Sequence, residues 1–229
     1  MGFTCGRFPS SRSVSRPLTD KIRTRRQSGG ILTAADLVAR LSRVYAAVGG
    51  VFVADLSLFE PKVVESESGT YIVQDFSGGL NQAQLENLLL QVIHAIANLR
   101  DNVAKWADQR GVEFDPKAFV HASGELALVH DLSNGDKHGH PLKTSWTGHS
   151  PTVVEVSRSL RLTTGDTGEV AIATFGAGIP QLSGSGRAEV VVSGRVVDTE
   201  TGVEIGDAAA ICDAALAHWE SQLTDLGLL

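Results

Sequence analysis

The run Asp131-Leu132-Ser133-Asn134-Gly135-Asp136-Lys137-His138 gathers carboxylates, an amide, an ammonium and an imidazole in one short stretch. Apolar residues lead into it (Leu126, Ala127, Leu128 and Val129), so it closes a helix rather than lying in an open loop. At roughly 100° of rotation per residue, Asp131, Asn134 and His138 fall within about 60° of one another on one helical face. Such groups are costly to bury. They form either a satisfied polar network or a reaction site.

Arg100 belongs with this set. It lies about 40° from Ile96 at the edge of a long apolar stripe. A guanidinium held beside a core finds a carboxylate, because an unpaired buried charge costs several kcal/mol. Asp131 is the natural candidate, and the expectation is an Arg100–Asp131 pair with Asn134 and His138 nearby. Two roles are open: a polar clamp between helices, or a site where Arg100 and His138 face a phosphate or another anion. Metal binding is a third. His130, Asp131, Asp136, His138 and His140 crowd together, His149 follows, and an extended His138-Gly139-His140 can place two imidazoles on one ion. No His-Glu-x-x-His or paired-Cys spacing accompanies them.

The elements that position these residues are legible in the periodicity. Thr33-Ala34-Ala35-Asp36 is a helix start; Leu37, Leu41, Val44 and Val48 continue it, and Gly49-Gly50 is read as its stop. Val51–Val53 and Tyr71–Val73 read as short strands. After Gly78-Gly79, an apolar stripe from Leu85 to Trp106 predicts a helix of about seven turns ending near Gly111. Asp115-Pro116 opens a second helix that runs to His138, with an interruption admitted at Ser123-Gly124; the two make a helical hairpin. His94 points away from the stripe and is read as solvent-facing.

After Pro151 the period becomes two, predicting strands near 153–162, 170–175 and 190–197. Asp207 caps a last helix carrying Ile211, Ala215, Trp219 and Leu223. Trp106 and Trp219 read as core or interface anchors. Gly176-Ala177-Gly178-Ile179-Pro180 reads as a linker rather than a dinucleotide loop. Ser145, Ser150 and Ser159 lack the frame of a nucleophile elbow.

The fold class is therefore α+β: an N-terminal helical hairpin or bundle, a three-stranded antiparallel meander and a C-terminal helix. Residues 31–229 form one domain, mainly helical over 31–145, with the β meander at 151–205 and the helix at 207–224. Residues 1–30 carry seven basic side chains against Asp20 alone, a net +6, which leaves −12 on the rest of a chain whose formal charge is −6. That segment reads as a disordered basic tail, with organelle targeting or nucleic-acid contact as the other readings. The acidic body argues against broad, sequence-independent grip on DNA or RNA. With Cys5 and Cys212 alone and no apolar run near the ~20 residues of a membrane span, a soluble cytoplasmic protein is expected.

Leu99-Arg100-Asp101 followed by Asp131-Leu132-Ser133-Asn134 and Lys137-His138 resembles a group of bacterial proteins with an LRD segment before D-(L/I)-(A/S)-N-x-x-K-H. The likeness covers about residues 80–145 and extends to the later strands and the Trp-containing helix; that group implies no established activity. More distantly, a helical hairpin bearing Arg and Asn…His is similar to HEPN domains, many of which cleave RNA in defence systems. Their Arg, polar residue and His share one helix, whereas here Arg100-Asp101-Asn102 has no His after it. The resemblance implies a catalytic set of Arg100, Asp131, Asn134, Lys137 and His138, with His138 as general acid/base and Arg100 or Lys137 stabilising phosphoryl charge. The competing class is a non-enzymatic binding or assembly module. No cofactor is called for; the partners implied are RNA at a local site and a second copy of the chain, with no membrane.

Overall fold

Each helix begins where a side chain can accept its first free amides. Thr33 and Asp36 form a reciprocal capping box at α1 (Ala34–Val51), and Asn81 and Gln84 another at α2 (Gln82–Arg110). Asp115 caps α3 (Pro116–His121), Ser123 caps α4 (Gly124–His138), and Asp207 caps α5 (Ala208–Asp225). Gly111 ends α2 in the left-handed region, at φ 65°. The structure, a computed structural model, describes residues 32–59, 62–66, 69–139, 142–164, 170–173 and 181–229. The basic segment 1–30, His140 and the 176–180 linker lie outside the described residues.

Two helix expectations need correction or refinement. Gly49-Gly50 does not stop α1, which continues to Val51. A helical glycine costs about 1 kcal/mol, and the complete burial of Val51 offsets that cost. The second helix is broken where Ser123 restarts it, so α3 and α4 are separate.

α2 packs against α1 and α4, and α4 packs in turn on α5. Leu89, Val92, Ile93, Ile96 and Val103 join Leu126, Val129 and Trp219 in one core, each at most 1% exposed. The Trp219 ring lies 4.4 Å from that of Phe119, centroid to centroid.

The structure is thus mixed helix and antiparallel sheet, but the expected three-stranded meander is not its arrangement. β4 (Pro151–Thr163) and β7 (Arg187–Asp198) pair directly, from Pro151 opposite Asp198 to Thr163 opposite Arg187. β5 (Val170–Ala173) and β6 (Gln181–Gly184), which fall between them in sequence, form a ribbon of their own. The other edge of β7 takes β1 (Phe52–Val53) at Val190–Val191 and β8 (Glu204–Asp207) at Arg195–Val197. β7 is therefore internal, and Ala188 to Val192 are buried without alternation, a pattern that period-two reading handles poorly. β2 (Lys62–Ser66) and β3 (Gly69–Val73) make a separate hairpin. Among the described residues, no helix is long and apolar enough to cross a membrane.

A bulge interrupts β4 between Val154 and Ser157, with Glu155 at φ 54°. The opposed strand approaches so closely that a Cβ on Gly194 would sit 2.8 Å from both Val153 Cγ1 and the Val154 carbonyl oxygen. Gly194→Ala should therefore cost about 2 kcal/mol in urea unfolding, since one contact is backbone and cannot turn aside. Unchanged stability would show that the bulge relaxes freely.

Candidate functional site

α4 is enclosed by α2, α5 and β4, so its buried residues run almost around the helix: Leu126, Ala127, Val129, His130, Asp131, Leu132, Ser133 and Gly135. Three of these are polar and need partners inside the protein. Each finds a different environment.

Asp131, wholly buried, does not pair with Arg100. Its Oδ1 accepts the Trp146 backbone N–H at 2.8 Å, and its Oδ2 accepts the Ser145 hydroxyl at 2.6 Å, the Thr147 N–H at 2.9 Å and the Thr147 hydroxyl at 2.8 Å. Directed amides and hydroxyls carry the negative charge in place of a cation. The 142–150 loop that supplies them is fastened again at its far end. Leu142 N–H donates to the Ser150 hydroxyl, and His149 Nδ1 lies 2.8 Å from Asp198 Oδ2. Asp198 also accepts the amides of Glu200 and Thr201; these bonds and His149 bring its carboxyl down to about 2.

Arg100 reaches the same centre by another route. Its Nε donates to Asp101 at 2.9 Å, and its guanidinium carbon lies 5.4 Å from the Trp146 ring centroid. Trp146 therefore joins the two expected partners, with its amide on Asp131 and its ring under Arg100. The expected Arg100–Asp131 pair is replaced by this three-part contact, because the loop amides satisfy the acid first.

His130, 3% exposed, lies tilted against the Trp146 ring with centroids 5.6 Å apart, and has no hydrogen-bond partner for Nε2 among the described residues. Burial, then the Arg100 charge, brings its pKa from 6.5 to about 4, so the ring is neutral in ordinary conditions. His121 closes the cluster, 5.1 Å from Trp146.

Ser133 corrects the reading of His94. The imidazole is not turned to solvent: Nδ1 lies 2.8 Å from Ser133 Oγ and Nε2 lies 2.8 Å from Asp136 Oδ2. An ionised Asp136 can only accept, so Nε2 carries a proton and donates. In the neutral ring, Nδ1 then accepts from Ser133. This is a Ser–His–Asp chain, but Ser133 is 1% exposed in mid-helix, where no acyl group can reach Oγ. Its work is to tie α2 to α4.

The remaining expected residues face outward. Asn134 is half-buried and His138 exposed; they line a groove of about 500 Å³ with Gly139, Leu142, Lys143 and Thr144. Lys137 is exposed. No hydrogen bond joins Asn134, Lys137 or His138 to Asp131 or Arg100 among the described residues. The metal set disperses as well: Asp136 turns to His94, His149 to Asp198 and His130 into the core. Among the described residues, no group of three or more His, Cys, Asp or Glu is placed to hold an ion. Sequence reasoning missed Trp146, Ser145, Thr147 and His94. The turn-forming Ser145-Trp146-Thr147-Gly148, so soon after an acid in an apolar helix, was the available signal.

Comparison of the chain with protein-family models, curated proteins and solved structures returned no match.

The fold holds His130 neutral, with its pKa below the ordinary 6.5 of the unfolded chain. Its contribution to stability is complete above pH 6.5 and is lost as the pH falls towards about 4. The loss amounts to about 3 kcal/mol. Unfolding measured across that window should show a flatter pH dependence for His130→Leu than for the natural protein. Parallel curves would remove His130 as the cause.

Proposed function

We propose that this protein is a binding module in which the polar centre is a structural clamp. The clamp holds the 142–150 loop, and with it Trp146, as a preformed contact surface. The observation that carries this reading is the use of Asp131. Its carboxylate is wholly buried and accepts from Ser145, Trp146 and Thr147, so it is in no position to take a proton from a substrate. Arg100 is likewise engaged, by Asp101 and the Trp146 ring. A surface fixed in this way presents its contacts without first having to order them, which favours binding.

The HEPN-type RNA-processing reading keeps one specific support. The Arg100 guanidinium carbon lies 5.4 Å from the Trp146 ring centroid, so a cation and an aromatic ring share one place, with Asp101 and Asp131 beside them. On that reading His138 moves the proton and Arg100 or Lys137 stabilises the phosphoryl charge. An aromatic ring paired with a cation also suits single-stranded RNA.

Two substitutions separate these readings. Asp131→Asn turns an amide group towards N–H donors and should cost about 3 kcal/mol, with fast hydrogen exchange at the Trp146 and Thr147 amides. His138→Ala, at an exposed position, should change stability by less than about 0.5 kcal/mol. On the clamp reading, the natural protein leaves single-stranded RNA intact. Cleavage of that RNA, abolished by His138→Ala with the fold unchanged, would overturn the clamp reading in favour of the nuclease.

A further inference from the structure

A cavity of about 320 Å³ opens between α2, α4 and the start of β4, lined by residues distinct from those of the groove beside His138. Its floor is apolar and buried: Leu89, Leu132 and Val156 are 1%, 4% and 6% exposed. Gly135, in the last turn of α4, contributes wall without a side chain. On the opposite wall β4 enters through Pro151 and Thr152 and then bends at its bulge. The volume is at the small end of the range for small-molecule sites.

Two carboxylates stand among the lining residues, Glu86 from α2 and Asp136 from α4, and no cation accompanies them. Asp136 is not free to swing away. His94 Nε2 holds its Oδ2 at 2.8 Å, and Ser133 in turn holds the imidazole. No donor reaches Asp136 Oδ1 among the described residues. The hydrogen-bond chain that has no route to catalysis thus keeps a carboxylate oriented at the edge of an apolar cavity.

We propose that this cavity binds a small organic cation: an ammonium carried on a hydrocarbon body of about six to ten non-hydrogen atoms. The hydrocarbon fills the Leu89–Leu132–Val156 floor, and the ammonium donates to Asp136 and Glu86. An anion meets two like charges here. A metal ion lacks a third carboxylate or imidazole and gains nothing from the apolar floor. The inference stands apart from the role of the 142–150 loop.

Calorimetry and thermal unfolding of the full chain with n-hexylamine, phenethylamine, hexanol, hexanoate and magnesium chloride test it. At least one amine should bind and raise Tm, hexanol should bind at least tenfold more weakly, and hexanoate and magnesium should not bind. Leu90→Trp fills the cavity and should abolish amine binding. Glu86→Gln, at an exposed position, and Asp136→Asn should each weaken the amine about tenfold without weakening hexanol. The Glu86 variant keeps the test decisive if Asp136→Asn loosens the contact with His94. Equal binding of amine and hexanol, binding that survives Leu90→Trp, or no amine binding would each overturn the proposal.

Discussion

The wholly buried Asp131 carboxylate, held by donors from the loop that follows its helix, is the constraint around which this protein is arranged. Asp131 lies in mid-helix on α4, where α2, α5 and β4 exclude solvent. Desolvation of such a charge costs several kcal/mol unless donors replace the lost water. The donors come from the next segment of chain, Ser145 to Thr147, which is why that segment has a fixed path. Its far end meets a second acid, Asp198, at the end of β7. One loop thereby bolts the helical layer to the sheet, using two carboxylates and their donors.

The same logic governs the rest of α4. Ser133 and Asp136 are joined through His94 of α2, so α4 has one polar tie to α2 and another to the loop. His130 lies against the Trp146 ring, kept neutral by burial and by Arg100. Side chains that look like catalytic equipment in the sequence are largely spent on holding elements together. What remains outward is Asn134, Lys137 and His138, together with the cavity beside Gly135.

Much of the helical framework was readable because its causes are local. The Leu85–Trp106 stripe after Gly78-Gly79 and the stop at Gly111 mark α2 within one stretch of chain, and Asp115-Pro116 and Asp207 mark the starts of α3 and α5. His94 was misread because α2 has two buried faces, one towards α1 and one towards α4, while the stripe marks a single face. Trp146 was overlooked because its place follows from Asp131, a partner that spacing alone could not assign to it. The β4–β7 pairing was hidden because the intervening residues fold into their own ribbon, and nearest-neighbour strand order assumes otherwise.

The pairing of Phe52 with Val191 joins segments from opposite halves of the chain, whereas the Asp131 contacts close only a short stretch. Closing a long loop costs more entropy than closing a short one, and it yields nothing until both ends are already shaped. Folding therefore has a natural order. The α4 turn and its loop can consolidate early, and the seam between β1 and β7, with α1 tethered to it through Val51, forms among the last. During synthesis, α1 can pack on α2 soon after that helix emerges, but Val51 and β1 at its end must wait for β7, and over that interval this edge is the part of the molecule with most need of protection from aggregation.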